Sequence, residues 1–345
     1  METIQETEHM KDGSQTQQET DTQIVNILHP KEVCRVGSWN VRTLYQTGKL
    51  AQVLKEMDRY NIQILGTCET RWTGNGTRKL ATGHQILYSG RKDEQHSSGV
   101  GLILSRKLGK CMLGWKPYSD RLLSARFHSK FAKLTVVVCY SPTEDKDEEE
   151  KDSFYEELQR AIEETPVHDV LLILGDLNAK VGTNNEGKES IMGKYGCGVI
   201  NNNGSRLVDF CQENKLVIGG TIFQHKNIHK LTWTSPDGHT RNQIDHVLIN
   251  KRWRGTLQDV RALRGADVGS DHTLVLVKLK LKLRKIKKGE QRSPQVDVSK
   301  LKDPTLMKSF QLEVKNRFTI LRNKKNSVLN NSTPHLLMRE RKHWG

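Results

Sequence analysis

Apolar residues in this chain gather in short runs that stop abruptly at polar ones. The clearest run is Val170-Leu171-Leu172-Ile173-Leu174, followed by Gly175, Asp176, Leu177 and Asn178. A continuous apolar run bounded by turn residues predicts a strand buried on both faces. Gly175 allows a sharp turn with no Cβ in the way. Asp176 and Asn178 are then set at the strand's end, on the rim of a buried sheet. On this stretch alone, a reactive carboxylate and a plain Asx turn fit equally well.

The same pattern of strand and stop recurs. Residues 33–39 alternate like a strand and end at Asn40, and 62–68 form a second strand ending at Glu69, ahead of Thr70, Arg71 and Trp72. Residues 99–104 and 134–139 read as further strands, the latter delivering Tyr140. Between them Leu50, Val53, Leu54 and Met57 recur at helical spacing. A charged run over 144–152 leads into a helix with Phe154, Leu158, Ala161 and Ile162 on one face. Acidic residues suit a helix N-terminus. Residues 183–204, rich in Asn and Gly, predict a long loop, and 206–213 a helix with Leu207, Phe210 and Cys211 inward. Strands at 231–234 and 243–249, joined by Ser235-Pro236-Asp237-Gly238, read as a hairpin. A loop at 268–272 precedes a closing strand at 273–279, and Phe310, Val314 and Phe318 mark a basic amphipathic helix over 308–325. No internal repeat is visible.

Composition adds a partner. The chain has 345 residues, a net charge of +15 and an isoelectric point near 9.5, which points to a polyanion. The charge is uneven. Residues 1–32 hold two basic and seven acidic side chains, whereas 282–345 hold seventeen basic and five acidic ones. Residues 33–281 keep a net +8, so the central region is positive in its own right. Residues 1–32 lack periodicity and are expected to be a disordered acidic tail, 33–281 a single domain, and 282–345 a basic, partly disordered tail. Six scattered cysteines without a Cys-x-x-Cys pair read as free thiols, not a disulfide frame or zinc site. No apolar run approaches the roughly 18 residues of a membrane span, and the polar N-terminus is no signal or transit peptide. These features predict a nuclear or cytoplasmic protein that is not secreted and does not engage a membrane.

Candidate chemistry lies at the strand edges. Asn40, Glu69, Tyr140, Asp176 and Asn178 all end apolar strands, Asp245 lies within one, and Asp271-His272 precedes one. Any one of these is ordinary; their joint occurrence predicts carboxylates, amides, a tyrosine and a histidine on one rim. Oxygen ligands without cysteine suit Mg²⁺, with Mn²⁺ as the alternative, and no organic cofactor is implied. Phosphodiester cleavage calls for that chemistry: a cation on the phosphate, a base for the water, and donors for the developing charge. Glu69 suits the metal and Asp176 the water. Asn178, Asn40, Tyr140 and His272 suit the phosphate oxygens, with Asp245 orienting His272.

These residues carry a family resemblance. Ser-Trp-Asn at 38–40, Cys-Glu-Thr-Arg-Trp at 68–72, Tyr-Ser-Pro at 140–142, Gly-Asp-Leu-Asn at 175–178, Gln-Ile-Asp-His at 243–246 and Gly-Ser-Asp-His at 269–272 occur in order. Together they resemble the endonuclease/exonuclease/phosphatase family, and within it the endonuclease domain of LINE retrotransposons, especially the RTE type. The resemblance implies an α/β fold: a four-layered, DNase I-like sandwich of two mainly antiparallel sheets flanked by helices. By motif match, Glu69 would be the main metal ligand, with Asn40 and Asp271 nearby. Thr232 resembles the threonine that lies near the scissile DNA, and Ser270 belongs to the same edge. AP endonucleases carry an acidic residue two positions after the asparagine, where this chain has Arg42. An arginine cannot ligate a metal, so the resemblance implies phosphate contact there, and Arg71 joins Thr232 and Ser270 in the nucleic-acid-binding set. Leu274 replaces the proline of the phosphatase branches, and residues 314–318 resemble the connector before a reverse transcriptase. The implied activity is a Mg²⁺-dependent DNA endonuclease acting as a monomer. A catalytically inactive nucleic-acid or chromatin-binding protein is the alternative, and a phosphatase of the same fold the third.

Overall fold

The structure, a computed structural model, describes residues 27–282 and 302–330. It divides into two units, Met1–Leu283 and Arg284–Gly345. The first opens with β1 (Cys34–Asn40), α1 (Lys49–Arg59), β2 (Ile64–Cys68), β3 (Asn75–Lys79), β4 (Gln85–Ser89) and β5 (Val100–Leu104). It continues with β6 (Met112–Ser119), β7 (Leu122–Phe127), β8 (Leu134–Tyr140), α2 (Glu148–Glu163), β9 (Val170–Asp176) and α3 (Asn202–Glu213). It closes with β10 (Leu216–Ile218), β11 (Trp233–Thr234), β12 (Arg241–Asn242), β13 (Asp245–Asn250), β14 (Leu257–Leu263) and β15 (Leu274–Leu279).

Two mixed sheets result. One runs β14-β15-β1-β2-β5-β4-β3, the other β10-β13-β9-β8-β7-β6. Each contains one parallel pairing, β1 with β2 and β8 with β9, while the remaining pairs are antiparallel. The two-residue side-chain period sorts the core into layers. Val36, Ile64 and Leu102 of the first sheet meet Val136, Val138, Leu172 and Leu174 of the second in one apolar cluster. The alternate residues Val137, Cys139, Leu171 and Ile173 face Phe154 and Leu158 of α2 and Leu207 of α3. Leu65, Ile103 and Leu276 face Val53, Leu54 and Met57 of α1. The order is helix, sheet, sheet, helix: the four-layered sandwich expected. Strand β9 is buried at all seven positions, because it lies between β8 and β13 with the other sheet on one face and helices on the other.

Some elements differ from expectation. The strands at 231–234 and 243–249 do not pair as a hairpin. Trp233–Thr234 pairs with Arg241–Asn242 in a separate two-stranded ribbon, and β13 lies between β9 and β10. Val247, Leu248 and Ile249 are all fully buried, and two apolar faces belong in a sheet interior, not on a solvated ribbon. Helix α3 starts a turn before residue 206, since the Asn201 side chain accepts from the Gly204 N–H and caps it there. The acidic run does open α2: the Asp147 side chain caps the Glu150 N–H, with Glu148, Glu149 and Glu150 in the first turn.

The disorder expected over 1–32 falls mostly on residues 1–26, which lie outside the described residues. Ile27 and Leu28 are described and join the inter-sheet core. In the second unit a helix, α4 (Pro304–Asn330), replaces the narrower span expected at 308–325. Its Phe310 and Phe318 are exposed. The rest of the expected basic tail, 283–301 and 331–345, lies outside the described residues.

The sheets pack tightly where the rim forms. A Cβ on Gly175 would lie 1.8 Å from the Cys139 carbonyl oxygen, and one on Gly66 would lie 2.1 Å from Leu174 Cδ1. The first obstacle is backbone on the paired strand and cannot rotate away. Gly175→Ala is therefore expected to destabilise the domain by about 1–3 kcal/mol or more, read as a lower urea midpoint; an unchanged midpoint would contradict this packing.

Candidate active site

The single parallel pair in each sheet creates the rim. In β1–β2, Asn40 lies opposite Cys68, one residue before Glu69. In β8–β9, Tyr140 lies opposite Asp176. Parallel strands end on the same side, so each pair delivers two polar strand ends together. The antiparallel neighbours contribute their beginnings: Asp245 opens β13 opposite Asp176, and His272 stands two residues before β15.

The side chains form one hydrogen-bonded cluster across both sheets. Asn40 Nδ2 donates to Glu69 Oε1 at 2.8 Å and to Asp176 Oδ2 at 3.0 Å. Its Oδ1 accepts from the Arg42 N–H at 3.0 Å. Tyr140 OH donates to Glu69 Oε1 at 3.2 Å. His272 Nδ1 is 2.9 Å from Asp245 Oδ2, and its Nε2 is 3.7 Å from Asp176 Oδ2. Asn178 N–H donates to Asp176 Oδ1, forming the Asx turn, while Asn178 Nδ2 donates to the Ser141 carbonyl. Two tryptophans complete the frame. Trp39 Nε1 donates to the His272 carbonyl, and Trp233 Nε1 to Asp271 Oδ2. Sequence reasoning left Trp233 unassigned; its place after Thr232 was the available signal.

Burial sets the electrostatics. The Asp176 carboxyl is pushed above its usual range, first by burial and then by the Asp245 charge, against the lowering pull of His272. Burial lowers the His272 imidazole, but the Asp245 and Asp176 charges and the Asp245 hydrogen bond outweigh it and raise it to about 10. The Tyr140 hydroxyl is raised by burial and then by Glu69 and Asp176, so it serves as a donor.

The rim backbone is strained. Arg42, Glu69, Arg71 and Asn178 sit at φ of 59°, 54°, 57° and 48°. Non-glycine residues there cost on the order of 1–3 kcal/mol each and persist only where the surroundings impose them. These are four of the eight non-glycine residues with positive φ among the described residues, so strain concentrates at this rim.

The residues assigned to nucleic acid divide. Arg42 and Arg71 are on the rim, with Arg42 Nε 3.7 Å from Asp271 Oδ1 and an Arg71 guanidinium nitrogen 3.4 Å from Glu69 Oε2. Thr232 is buried, and its hydroxyl accepts from the Ile244 and Asp245 N–H groups, both at 3.1 Å. Ser270 Oγ donates to the Asn40 carbonyl and accepts from the His272 N–H. Both hydroxyls hold the backbone behind Asp245 and His272. Inward-facing threonine and serine have no sequence mark that separates them from displayed ones.

Oxygen ligands for a cation are present. One ligand atom from each of Asp176, Asp245 and His272 lies within 4.8 Å of the others. Asp245 Oδ1 is buried with no hydrogen-bond partner, an arrangement a positive charge relieves; Asp271 Oδ1 also has no hydrogen bond, with the Arg42 guanidinium 3.7 Å away. Glu69 and Asp271 are further carboxylates on the rim, so oxygen donors outnumber the single imidazole nitrogen of His272. The residues fit a hard divalent ion.

Residues 134–276 match the family described as Endonuclease-reverse transcriptase. Craniofacial development protein 2 of Tragulus javanicus is 44% identical over 258 residues, covering 75% of this chain and 44% of that protein. The chain thus spans less than half the length of this curated relative. Among solved structures, the endonuclease domain of TRAS1, a telomere-specific non-LTR retrotransposon, superposes with a TM-score of 0.53 at 16% identity, over 73% of this chain and 100% of that one. The central domain has the DNase I-like fold of the endonuclease/exonuclease/phosphatase family. The 3′ phosphatase NExo from Neisseria, solved with a product DNA hairpin, superposes on this DNase I-like domain with a TM-score of 0.54 at 17% identity, over 72% of this chain and 100% of that one. Among the described residues no helix is long and apolar enough to cross a membrane.

The placement of Thr232 in the DNase I-like domain can be checked directly. Thr232→Val keeps the shape but leaves two backbone N–H groups without their acceptor, for an expected loss of about 1–3 kcal/mol in denaturant unfolding. Its affinity for a labelled oligonucleotide should match wild type. Weaker binding at unchanged stability would return Thr232 to the surface.

Proposed function

We propose that the DNase I-like domain is a divalent-metal-dependent phosphodiesterase acting on DNA as a nicking endonuclease. The observation that carries the reading is the Asn40 amide joining Glu69 and Asp176 across the two sheets, beside the Asp245–His272 pair. In this reading Asp176, fixed by Asn40 and by the Asn178 N–H, orients a water and takes its proton. His272, held by Asp245, and the Tyr140 hydroxyl donate to phosphate oxygens as charge builds on them. Glu69 and Asp271 hold the cation, and Asn40 contributes by setting the Glu69 carboxylate. A bound Mg²⁺, or Mn²⁺ in its place, neutralises phosphate charge and stabilises the leaving oxygen. Arg42 and Arg71 lie where they can meet backbone phosphates. The net positive charge of the chain supports a DNA partner, and the similar Neisseria 3′ phosphatase bound to a product DNA hairpin agrees with it. Work on DNA would be done in the nucleus or, for a retroelement-type protein, in the cytoplasm.

A second reading has its own observation. Arg42 and Arg71 already lie beside Asp271 and Glu69, so part of the carboxylate charge is balanced without a metal. A nucleic-acid or chromatin-binding protein that does not cleave would show this too.

Supercoiled plasmid with the full-length protein and Mg²⁺ distinguishes them. Nicked circles are expected, with none in excess EDTA. Glu69→Gln, Asp176→Asn and His272→Ala should each slow nicking about a hundredfold or more with little change in thermal unfolding. Absence of nicking, or equal nicking by His272→Ala, would sink the endonuclease reading. DNA binding that falls with salt but ignores both Mg²⁺ and EDTA would favour the second.

A further inference from the structure

Next to the carboxylate cluster lies a concavity that the proposed chemistry does not use. It encloses about 220 Å³ and is lined by Tyr45, Trp72, Thr73, Arg78, Tyr88 and His96. Chain continuity joins it to the site, because Trp72 follows Arg71, whose guanidinium lies 3.4 Å from Glu69. His96 Nδ1 is 2.9 Å from the Arg71 carbonyl oxygen. The Tyr45 and His96 rings lie 4.2 Å apart and tilted by 35°. Trp72 and Tyr88 meet edge to face at 5.1 Å. The Arg78 guanidinium lies 5.7 Å from the centroid of each of those two rings.

Tyr45 is 63% exposed, yet its backbone is fixed. The preceding Leu44 is buried and its N–H donates to the Thr70 carbonyl, while the Tyr45 N–H donates to Thr43 Oγ1. A large aromatic ring held in solvent beside a phosphate-type site is a stacking surface. Aromatic clusters can also cage quaternary ammonium ions. Here Arg78 already occupies that electrostatic role over Trp72 and Tyr88 and would repel a second cation. Aromatic faces, one arginine and a histidine suit an electron-rich planar group, and the Arg71 guanidinium beside Glu69 suits the phosphate attached to it.

We propose that this pocket receives a nucleobase of the nucleic acid whose backbone lies on the Glu69–Asp176 cluster, an inference that rests on the nuclease reading. A base within a duplex has both faces covered by its neighbours. Stacking on Tyr45 or His96 therefore requires a base that is single-stranded, at an end or extruded. The pocket thus favours substrates with an unpaired base close to the phosphate that is cut.

The test compares labelled oligonucleotides, one single-stranded and one fully paired with the same sequence, by fluorescence anisotropy in EDTA with the full-length protein. Tyr45→Ala and His96→Ala should each weaken single-strand binding about tenfold and duplex binding by less than about twofold. Tyr45→Phe, which keeps the ring, should stay within about twofold of wild type on both. Single-strand affinity retained by Tyr45→Ala, or lost equally on both ligands, would overturn the pocket. So would saturable binding of a trimethyl-lysine peptide that Tyr45→Ala abolishes. Plasmid nicking by wild type, run in parallel, separates the two failures. A protein that nicks while Tyr45→Ala binds normally disproves the base pocket alone, and one that binds neither oligonucleotide and does not nick disproves both.

Discussion

Two carboxylates from different sheets, Glu69 and Asp176, converge on one amide. The Asn40 Nδ2 group donates to both, and this contact fixes the geometry of everything around it. Its placement requires the sheets to meet closely at their strand ends. That closeness comes from Gly66, where any side chain would collide with Leu174 of the facing sheet, while Gly175 lets β9 approach the Cys139 carbonyl of its neighbouring strand. It also requires the ends of β1, β2, β8 and β9 to point the same way, which the two parallel pairings achieve. An antiparallel pair at either position would carry one of these residues to the opposite rim.

The cluster is costly in itself. Asp176 and Asp245 are both buried, and like charges at close range in a poorly solvated place raise the free energy of the folded state. Positive-φ backbone at Arg42, Glu69, Arg71 and Asn178 adds to it. The counterweight is the core beneath, where valines, leucines and isoleucines from both sheets are fully buried, each contributing about 1.5–3 kcal/mol. A site held against its own electrostatics needs a rigid support, and β9, packed on both faces, provides it.

Much of this was legible in sequence because the central strands are apolar on both faces. β1, β2, β5, β8, β9 and β13 stand out as runs, and the polar residues that end β1, β2, β8 and β9 or open β13 mark the rim. The edge strands were not legible for the same reason. β3 is almost entirely exposed and β6 only partly buried, so neither has a hydrophobic pattern to detect; Pro117 within β6 argues locally against a strand, although an edge tolerates it. The ribbon at 233–242 was misjudged because a turn signal shows that the chain reverses, but not with which strand it pairs. Residue identity at the rim was readable, whereas the direction of a hydroxyl was not. Thr232 and Ser270 occupy the right neighbourhood yet turn toward backbone N–H and C=O groups.

Arg42 shows how charge at the rim can be set by one position. An acidic residue there would add a further negative charge beside Asp271. The arginine instead places a guanidinium 3.7 Å from that carboxylate, and Arg71 does the same for Glu69. Both are surface pairs in which each arginine is roughly half exposed, so each is weak and can open at small cost. A phosphate arriving at the rim therefore competes with carboxylates for two arginines already pointed at it, and a cation competes with the same arginines for the carboxylates. Under the proposed function, phosphate and divalent ion would relieve one another's competition: as the arginines turn to phosphate, the carboxylates would be freed for the ion, and the two would bind together more favourably than either alone.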